Sequence, residues 1–256
     1  MLLGIDHIVI AVPDLATAIK NYQRLGFTVV PGGRHPVGTY NGLIALADGS
    51  YIELISFYRD NPEHRWWDAL QKGGGLVDFC MQTDDLAGDT AKLRNAGVEI
   101  DDPVPWSRTR PDGYQLKWLL SLARGKHRGV APFLIQDETP REQRIPREQK
   151  HKNGVTGIGT VTVAADDLPG VRRWYRSVLD YDGTEIISDD LRARGISFEI
   201  GPHCCYFAQP IDEESPLAEC LKMRGPSPYA ATLRSNCRNP PALDASLTYG
   251  ARLSFE

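Results

Sequence analysis

The sequence predicts an α+β fold assembled from repeated βαβββ modules. One pattern carries most of that prediction: a short apolar strand, a turn containing Asp-Leu, then a helix, recurring at intervals of about 75 residues. Its copies run from Gly4 to Phe27, from Gly75 to Val98 and from Gly157 to Tyr181, with a fainter fourth from Ser227 to Arg252. Side chains alternate in stretches such as HIVIAV and TVTVAA, as in a strand with one buried face. The pair Asp48-Gly49 between two apolar runs is a strong hairpin signal.

Within each copy the same physics repeats. Asp14, Asp85 and Asp167 stand where a helix N-cap or first-turn acid belongs, beside the positive end of the helix dipole. Leu15, Ala18, Ile19, Tyr22 and Leu25 fall on one helical face. Gly26 and Gly97 follow their helices, where a left-handed residue is cheap. Module one then reads through three strands, FTVVPG, NGLIALAD and SYIELISF, to about Phe57. Module two reads through VEIDDPVPW, YQLKWLLSLA and VAPFLIQD to Asp137. Module three reads through GTEIISD, ARGISFEI and HCCYFAQP. Residues 1–137 are therefore expected to be a pair of modules and residues 154–256 a third module plus a partial fourth. Between them, residues 138–153 are charged, carry two prolines and have almost no apolar side chains, the composition of a solvated linker. The fourth copy is either degenerate or shortened.

Bulk properties narrow the function classes. A net charge of −4 implies no extended basic face, so nucleic acid is not an expected partner. No apolar run approaches the roughly 18 residues of a membrane helix, and the N-terminal stretch lacks the basic start of a signal peptide. The expectation is a cytoplasmic protein that does not engage the membrane. Five cysteines without a CxxC argue against a disulfide framework or a thiolate zinc site. There is no Gly-rich phosphate loop and no G-x-S-x-G elbow, so nucleotide-dependent and serine-hydrolase readings have no support.

Gly4-Ile5-Asp6-His7, Val12-Pro13-Asp14-Leu15, Leu25-Gly26-Phe27 and Tyr51-Ile52-Glu53-Leu54 together resemble the vicinal oxygen chelate superfamily, which includes glyoxalase I, extradiol dioxygenases and bleomycin-binding proteins. More narrowly, Pro31-Gly32-Gly33-Arg34-His35, Gly38-Thr39-Tyr40-Asn41, Asp48-Gly49-Ser50-Tyr51, Arg110-Pro111-Asp112-Gly113 and Pro132-Phe133-Leu134-Ile135 resemble a glyoxalase-like domain family. The resemblance covers residues 1–137 well, and residues 154–212 only through the module pattern. It implies that two modules pair so that their mixed sheets curl around a shared cavity. It also implies a divalent metal held by one residue from the first strand and one from the last strand of each module.

On that pattern His7 and Glu53 are the metal ligands of module one, and imidazole and carboxylate suit Zn, Fe, Mn or Ni. The bland reading is a core histidine and a solvent-facing or ion-paired glutamate. In module two Asp78 aligns with His7 and completes the metal set of His7, Glu53 and Asp78, whereas Phe133 aligns with Glu53 and cannot ligate. Module three offers Thr160 and Cys205 at these places and is expected to be structural, or to build a cavity that binds without metal. His35, after a Gly-Gly turn, is either a cavity-facing ligand or base, or a surface histidine. Glu53 and His35 are thus the candidate proton-moving residues. Asn41, Arg110 and Trp118 are the candidate substrate-binding residues, Arg110 as a fork for a carboxylate and Trp118 as a stacking face, or plain core. The aromatics of His64-Arg65-Trp66-Trp67 pack the junction of the two modules or lid the site. His127, His151 and His203 have no evident partner.

Two functions follow as expectations. The first is a metal-dependent isomerase, lyase or dioxygenase acting on a small oxygenated molecule. The second is a metal-free protein that sequesters a small molecule, as bleomycin-binding proteins do. An unpaired fourth half-module would leave a sheet edge, and a homodimer is one way to cover it.

Overall fold

The computed structural model describes residues 1–147 and 150–256. The two residues between fall in the charged stretch 138–153, so the linker expectation at those positions lies outside the described residues.

Module one is β1 (Leu2–Ala11), α1 (Leu15–Arg24), β2 (Val30–Arg34), β3 (Thr39–Ala45) and β4 (Tyr51–Phe57). After the short helix α2 (Trp67–Gln71), module two is β5 (Gly75–Thr83), α3 (Leu86–Asn95), β6 (Val104–Thr109), β7 (Gln115–Ser121) and β8 (Phe133–Asp137). The repeated acids are helix caps: Asp14 accepts from the Thr17 amide at 2.7 Å and Asp85 from the Gly88 amide at 3.0 Å. The strand expected from Val98 begins only at Val104. Its first part makes a single bridge, Ile100 with Ala123, because Pro103 has no N–H to continue a ladder.

The eight strands close into a barrel in the order β1-β4-β3-β2-β6-β7-β8-β5. The last seam is narrow: β2 meets β6 through the one pair Arg34 and Thr109. Gly33 makes that approach possible. Its φ is +139°, and a Cβ there would stand 2.1 Å from the Thr109 carbonyl oxygen. Two faces of β1 diverge by strict alternation. Ile8 and Ile10 pack outward into the main core, while Val9 and Ala11 point into the barrel with Trp118, Leu120 and Phe133.

The remaining elements are α4 (Arg141–Arg144), β9 (Val155–Ala164), α5 (Leu168–Leu179), β10 (Thr184–Ser188), β11 (Ala193–Ile200), β12 (His203–Pro210), α6 (Pro216–Arg224), β13 (Ser227–Ser235) and β14 (Arg252–Phe255). They form an open six-stranded sheet, β10-β11-β12-β9-β13-β14. Asp167 caps α5 through the Gly170 amide, as its counterparts do. The fourth copy supplies two strands, β13 and β14. β14 runs parallel to β13, as β4 does to β1, and residues 245–250 form turns where a helix would stand. This sheet packs on the outer face of the barrel, and one continuous core holds Ile8, Phe79, Val161, Trp174, Phe198 and Leu233. Among the described residues no helix is long and apolar enough to cross a membrane.

The charged stretch differs from its expectation. Arg144 is buried against Asp6 and Asp137, so the connection plugs one end of the barrel instead of lying wholly in solvent. A run of charges looks like a solvated face in sequence, but paired charges can go inside. The three histidines without an evident partner in the sequence each have at least one. The amides of Glu99, Thr28 and Ile5 donate to Nδ1 of His127, His151 and His203.

Asp48 ties the barrel to the second sheet. Its Oδ2 accepts from the Ile158 amide at 3.0 Å and from Arg234 at 3.1 Å, with His203 Nε2 at 3.3 Å. Burial would raise this carboxyl, but bonds from His203 and Ser50 outweigh it and hold it below its ordinary value. A depressed carboxyl adds stability that is full above its unfolded pKa of about 3.9 and is lost as pH falls through the lower folded value. Urea unfolding of Asp48→Asn should therefore show a larger deficit against the parent at pH 7 than at pH 3. An equal deficit at both would mean the charge contributes nothing.

Candidate functional site

The inside of the barrel holds a cavity of about 60 Å³, room for roughly five water-sized occupants. The candidates His7, His35, Asn41, Glu53 and Trp118 all line it, together with Tyr51, His64, Arg65, Arg108 and Arg144.

His7 owes its setting to a β-bulge. Ile5 pairs with Met81 and His7 with Cys80, so β1 carries one extra residue, Asp6, between them. The bulge brings Asp6, which alternation alone would send outward, against the His7 ring. His7 Nδ1 lies 2.6 Å from Asp6 Oδ1. Arg144 closes on Asp6 from behind, Nη1 to Oδ1 at 3.1 Å and Nη2 to Oδ2 at 2.8 Å, and Arg141 adds a further contact. Burial would raise the Asp6 carboxyl, but Arg144, His7 and Arg141 outweigh it and hold it well below the carboxylate range. An ionised Asp6 accepts the Nδ1 proton and leaves the Nε2 lone pair of His7 facing the cavity. Tyr51 stacks on the ring at 4.5 Å between centroids and Phe133 meets it edge-on at 5.5 Å.

Glu53 on β4 faces the same point. Its Oε2 lies 3.5 Å from His7 Nε2, and its Oε1 accepts from Asn41 Nδ2 at 2.5 Å. Asn41 thus orients the carboxylate from β3, and the structure shows no binding partner for its own Oδ1. His35 is buried, with Nδ1 at 2.9 Å from Thr39 Oγ1. Burial pushes its pKa down to about 4, against a smaller upward pull from Glu53, so it is neutral near pH 7. His64 is likewise pushed down to about 4 by burial, helped by Arg65.

The second half of the expected metal set is not assembled. Asp78 is buried, but its carboxylate is engaged by Trp66 Nε1 at 2.9 Å, by the Phe79 amide at 3.0 Å and by Arg65 Nη2 at 2.7 Å. The Arg65 guanidinium lies 5.2 Å from the Phe133 ring centroid. An arginine and a phenylalanine thus stand where module two would supply ligands. Arg110 is a second correction: it sits outside the barrel, paired with the exposed Asp112. The strand ends at Thr109, and the cavity-facing arginine is Arg108, two residues back on the same alternation. Trp118 does line the cavity, edge-on to His35 at 6.2 Å between centroids.

Asp6, His7 and Cys80 also gather a carboxylate oxygen, a ring nitrogen and a thiol within 4.8 Å. Their chemistry does not suit a metal. Asp6 is already held by two arginines and His7, and burial pushes the Cys80 thiol well up, away from the thiolate a metal needs.

The donor set of His7 and Glu53 does fit an ion. At 3.5 Å their contact is too long for a good N–H···O bond. Two ligands at ordinary bond lengths on one tetrahedral ion stand roughly 3.4 Å apart. Each is aimed by an outer partner, Asp6 and Asn41, in the manner of metal-bound histidine and carboxylate.

A family model described as "Glyoxalase-like domain" matches residues 5–179. No curated protein matches the chain. Among solved structures, a hypothetical protein from Staphylococcus aureus is similar at 18% identity with a TM-score of 0.70, over 98% of both chains. A mutant of 4-hydroxymandelate synthase from Streptomyces coelicolor is similar at 14% identity and TM-score 0.64, over 93% of this chain and 72% of that one. A fusion of a xylose isomerase-like TIM barrel with 4-hydroxyphenylpyruvate dioxygenase is similar at 15% and TM-score 0.52, over 93% and 37%. At these identities the structural likenesses show a shared fold. The family match spans most of the sequence, and the chain belongs to the glyoxalase-like domain family.

Proposed function

We propose that the protein is a metal-dependent enzyme acting on a small oxygenated organic molecule within the barrel. The observation that carries this reading is the pair His7 Nε2 and Glu53 Oε2, 3.5 Å apart and each held by its own outer partner. His7 and Glu53 would hold the ion, with His35 and His64 as further neutral imidazoles in the same cavity. Zn, Fe, Mn or Ni suits such ligands. A bound ion would supply Lewis acidity toward substrate oxygens, for isomerase or lyase chemistry, or dioxygenase chemistry where the ion is iron.

The chain's own residues do the rest. Trp118, Leu120 and Phe133 give the cavity an apolar wall. Glu53 is the carboxylate placed to take a proton from a substrate carbon. His35, neutral and tied at Nδ1 to Thr39, presents Nε2 as a hydrogen-bonding group rather than a charge. Tyr51 fixes the plane of the His7 ring.

Metal-free sequestration is the second reading, and the Arg65–Asp78 pair with Phe133 beside it is the observation in its favour. Elemental analysis of the purified protein, with and without metal supplementation, separates the two. We expect about one transition-metal ion per chain. No bound metal under any supplementation would sink the enzyme reading and leave sequestration.

A further inference from the structure

The cavity's charge balance raises the question of what it holds. Arg65 and Arg108 both line it, and the Arg65 side chain is 7% exposed. The Arg65 Nη2 stands 2.7 Å from Asp78 but off hydrogen-bonding alignment, and its Nε and Nη1 have no acceptor. Arg108 donates Nη2 to the Arg144 carbonyl at 2.6 Å, while its Nε has no acceptor. Buried guanidinium donors without acceptors are costly, and a protein that keeps them commonly has a ligand for them. Among the described residues the one carboxylate lining the cavity, Glu53, is already held by Asn41 and faces His7. Arg65 has Asp78 behind it, and Arg144 has Asp6 and Asp137. Arg108 has no carboxylate of its own within ion-pair distance among the described residues.

From these donors we infer that the cavity recognises a small carboxylate, with the free edge of Arg65 as its principal anchor and Arg108 as the second positive group. This deepens the enzyme reading above by naming the substrate class of the same site. A guanidinium presents donors in a plane that matches a carboxylate's two oxygens, which a round ammonium does not. Phe133 lies against the Arg65 guanidinium at 5.2 Å and holds its plane. Arg110, on the outside, takes no part.

The test uses the full chain treated with EDTA, so that anion recognition is read separately from metal binding. Acetate and propionate are titrated by calorimetry against acetamide and propionamide, their neutral counterparts of similar shape. The expected result is binding of the acids at least tenfold tighter than the amides. Arg65→Lys should lose about ten- to hundredfold of the acid affinity, the range of one charge-assisted contact. In Arg65→Met/Asp78→Asn, where no charge is left unpaired, the preference for acids should vanish. Equal binding of acid and amide by the parent protein overturns the proposal without any variant. So does an unchanged acid preference in Arg65→Lys together with the folded double variant. Metal found at His7 and Glu53 but no acid preference would leave the enzyme reading standing and remove this one. Acid preference with no metal would do the reverse.

Discussion

Replacing Arg144 by methionine should lower stability by about 3–5 kcal/mol, the usual effect of removing one partner from a buried ion pair. For a protein of this size that is a fall of about 6–20 °C in Tm. Asp6 is fully buried and Asp137 nearly so, and buried Arg144 bridges both, with partly exposed Arg141 beside it, while also donating to Tyr51 at 3.0 Å. Without it two carboxylates at the low-dielectric end of the barrel share the single, partly exposed Arg141. The double variant Arg144→Met/Asp6→Asn should recover part of the loss, since one stranded charge is gone. Thermal and urea unfolding measure both. A loss below about 1 kcal/mol would show that the charges rehydrate and that the plug is only a surface loop.

The second large effect is on the site. His7→Ala and Glu53→Gln should each abolish stoichiometric metal and with it the activity, while leaving the fold intact, because neither side chain belongs to the outward-facing core. Asn41→Ala should weaken metal about ten- to hundredfold, as loss of an outer partner usually does. Metal titration of the four proteins measures this order. If Asn41→Ala matched the parent while Glu53→Gln lost everything, the bond from Asn41 to Glu53 would have no part in holding the ligand.

Much of this was legible in the sequence because it rests on local periodicity. The Asp-Leu turns mark real helix caps at Asp14, Asp85 and Asp167. Alternation in HIVIAV and YIELISF places His7 and Glu53 on the inner face. What was hidden depends on register and on long-range pairing. The part of Asp6 was not legible, since nothing in the strand announces a bulge against Met81 and Cys80. Arg144 reads as solvated, because its partners Asp6 and Tyr51 are 138 and 93 residues away in sequence. Arg65 lies in a bridge with no period to orient it. Arg108 and Arg110 share a face by alternation, and the end of the strand at Thr109 leaves Arg108 in the cavity and Arg110 outside it. Asp78 aligns with His7 as the repeat demands, yet its partner is an arginine from outside the repeat.

The central claim is that His7 and Glu53 are two ligands of one ion. Anomalous diffraction from crystals grown with Zn, Mn, Fe or Ni tests it most directly. The account predicts a single strong peak inside the barrel, bonded to both His7 Nε2 and Glu53 and away from Asp78. A peak at Asp78, or an empty barrel with His7 Nε2 and Glu53 joined only by a proton, would contradict it.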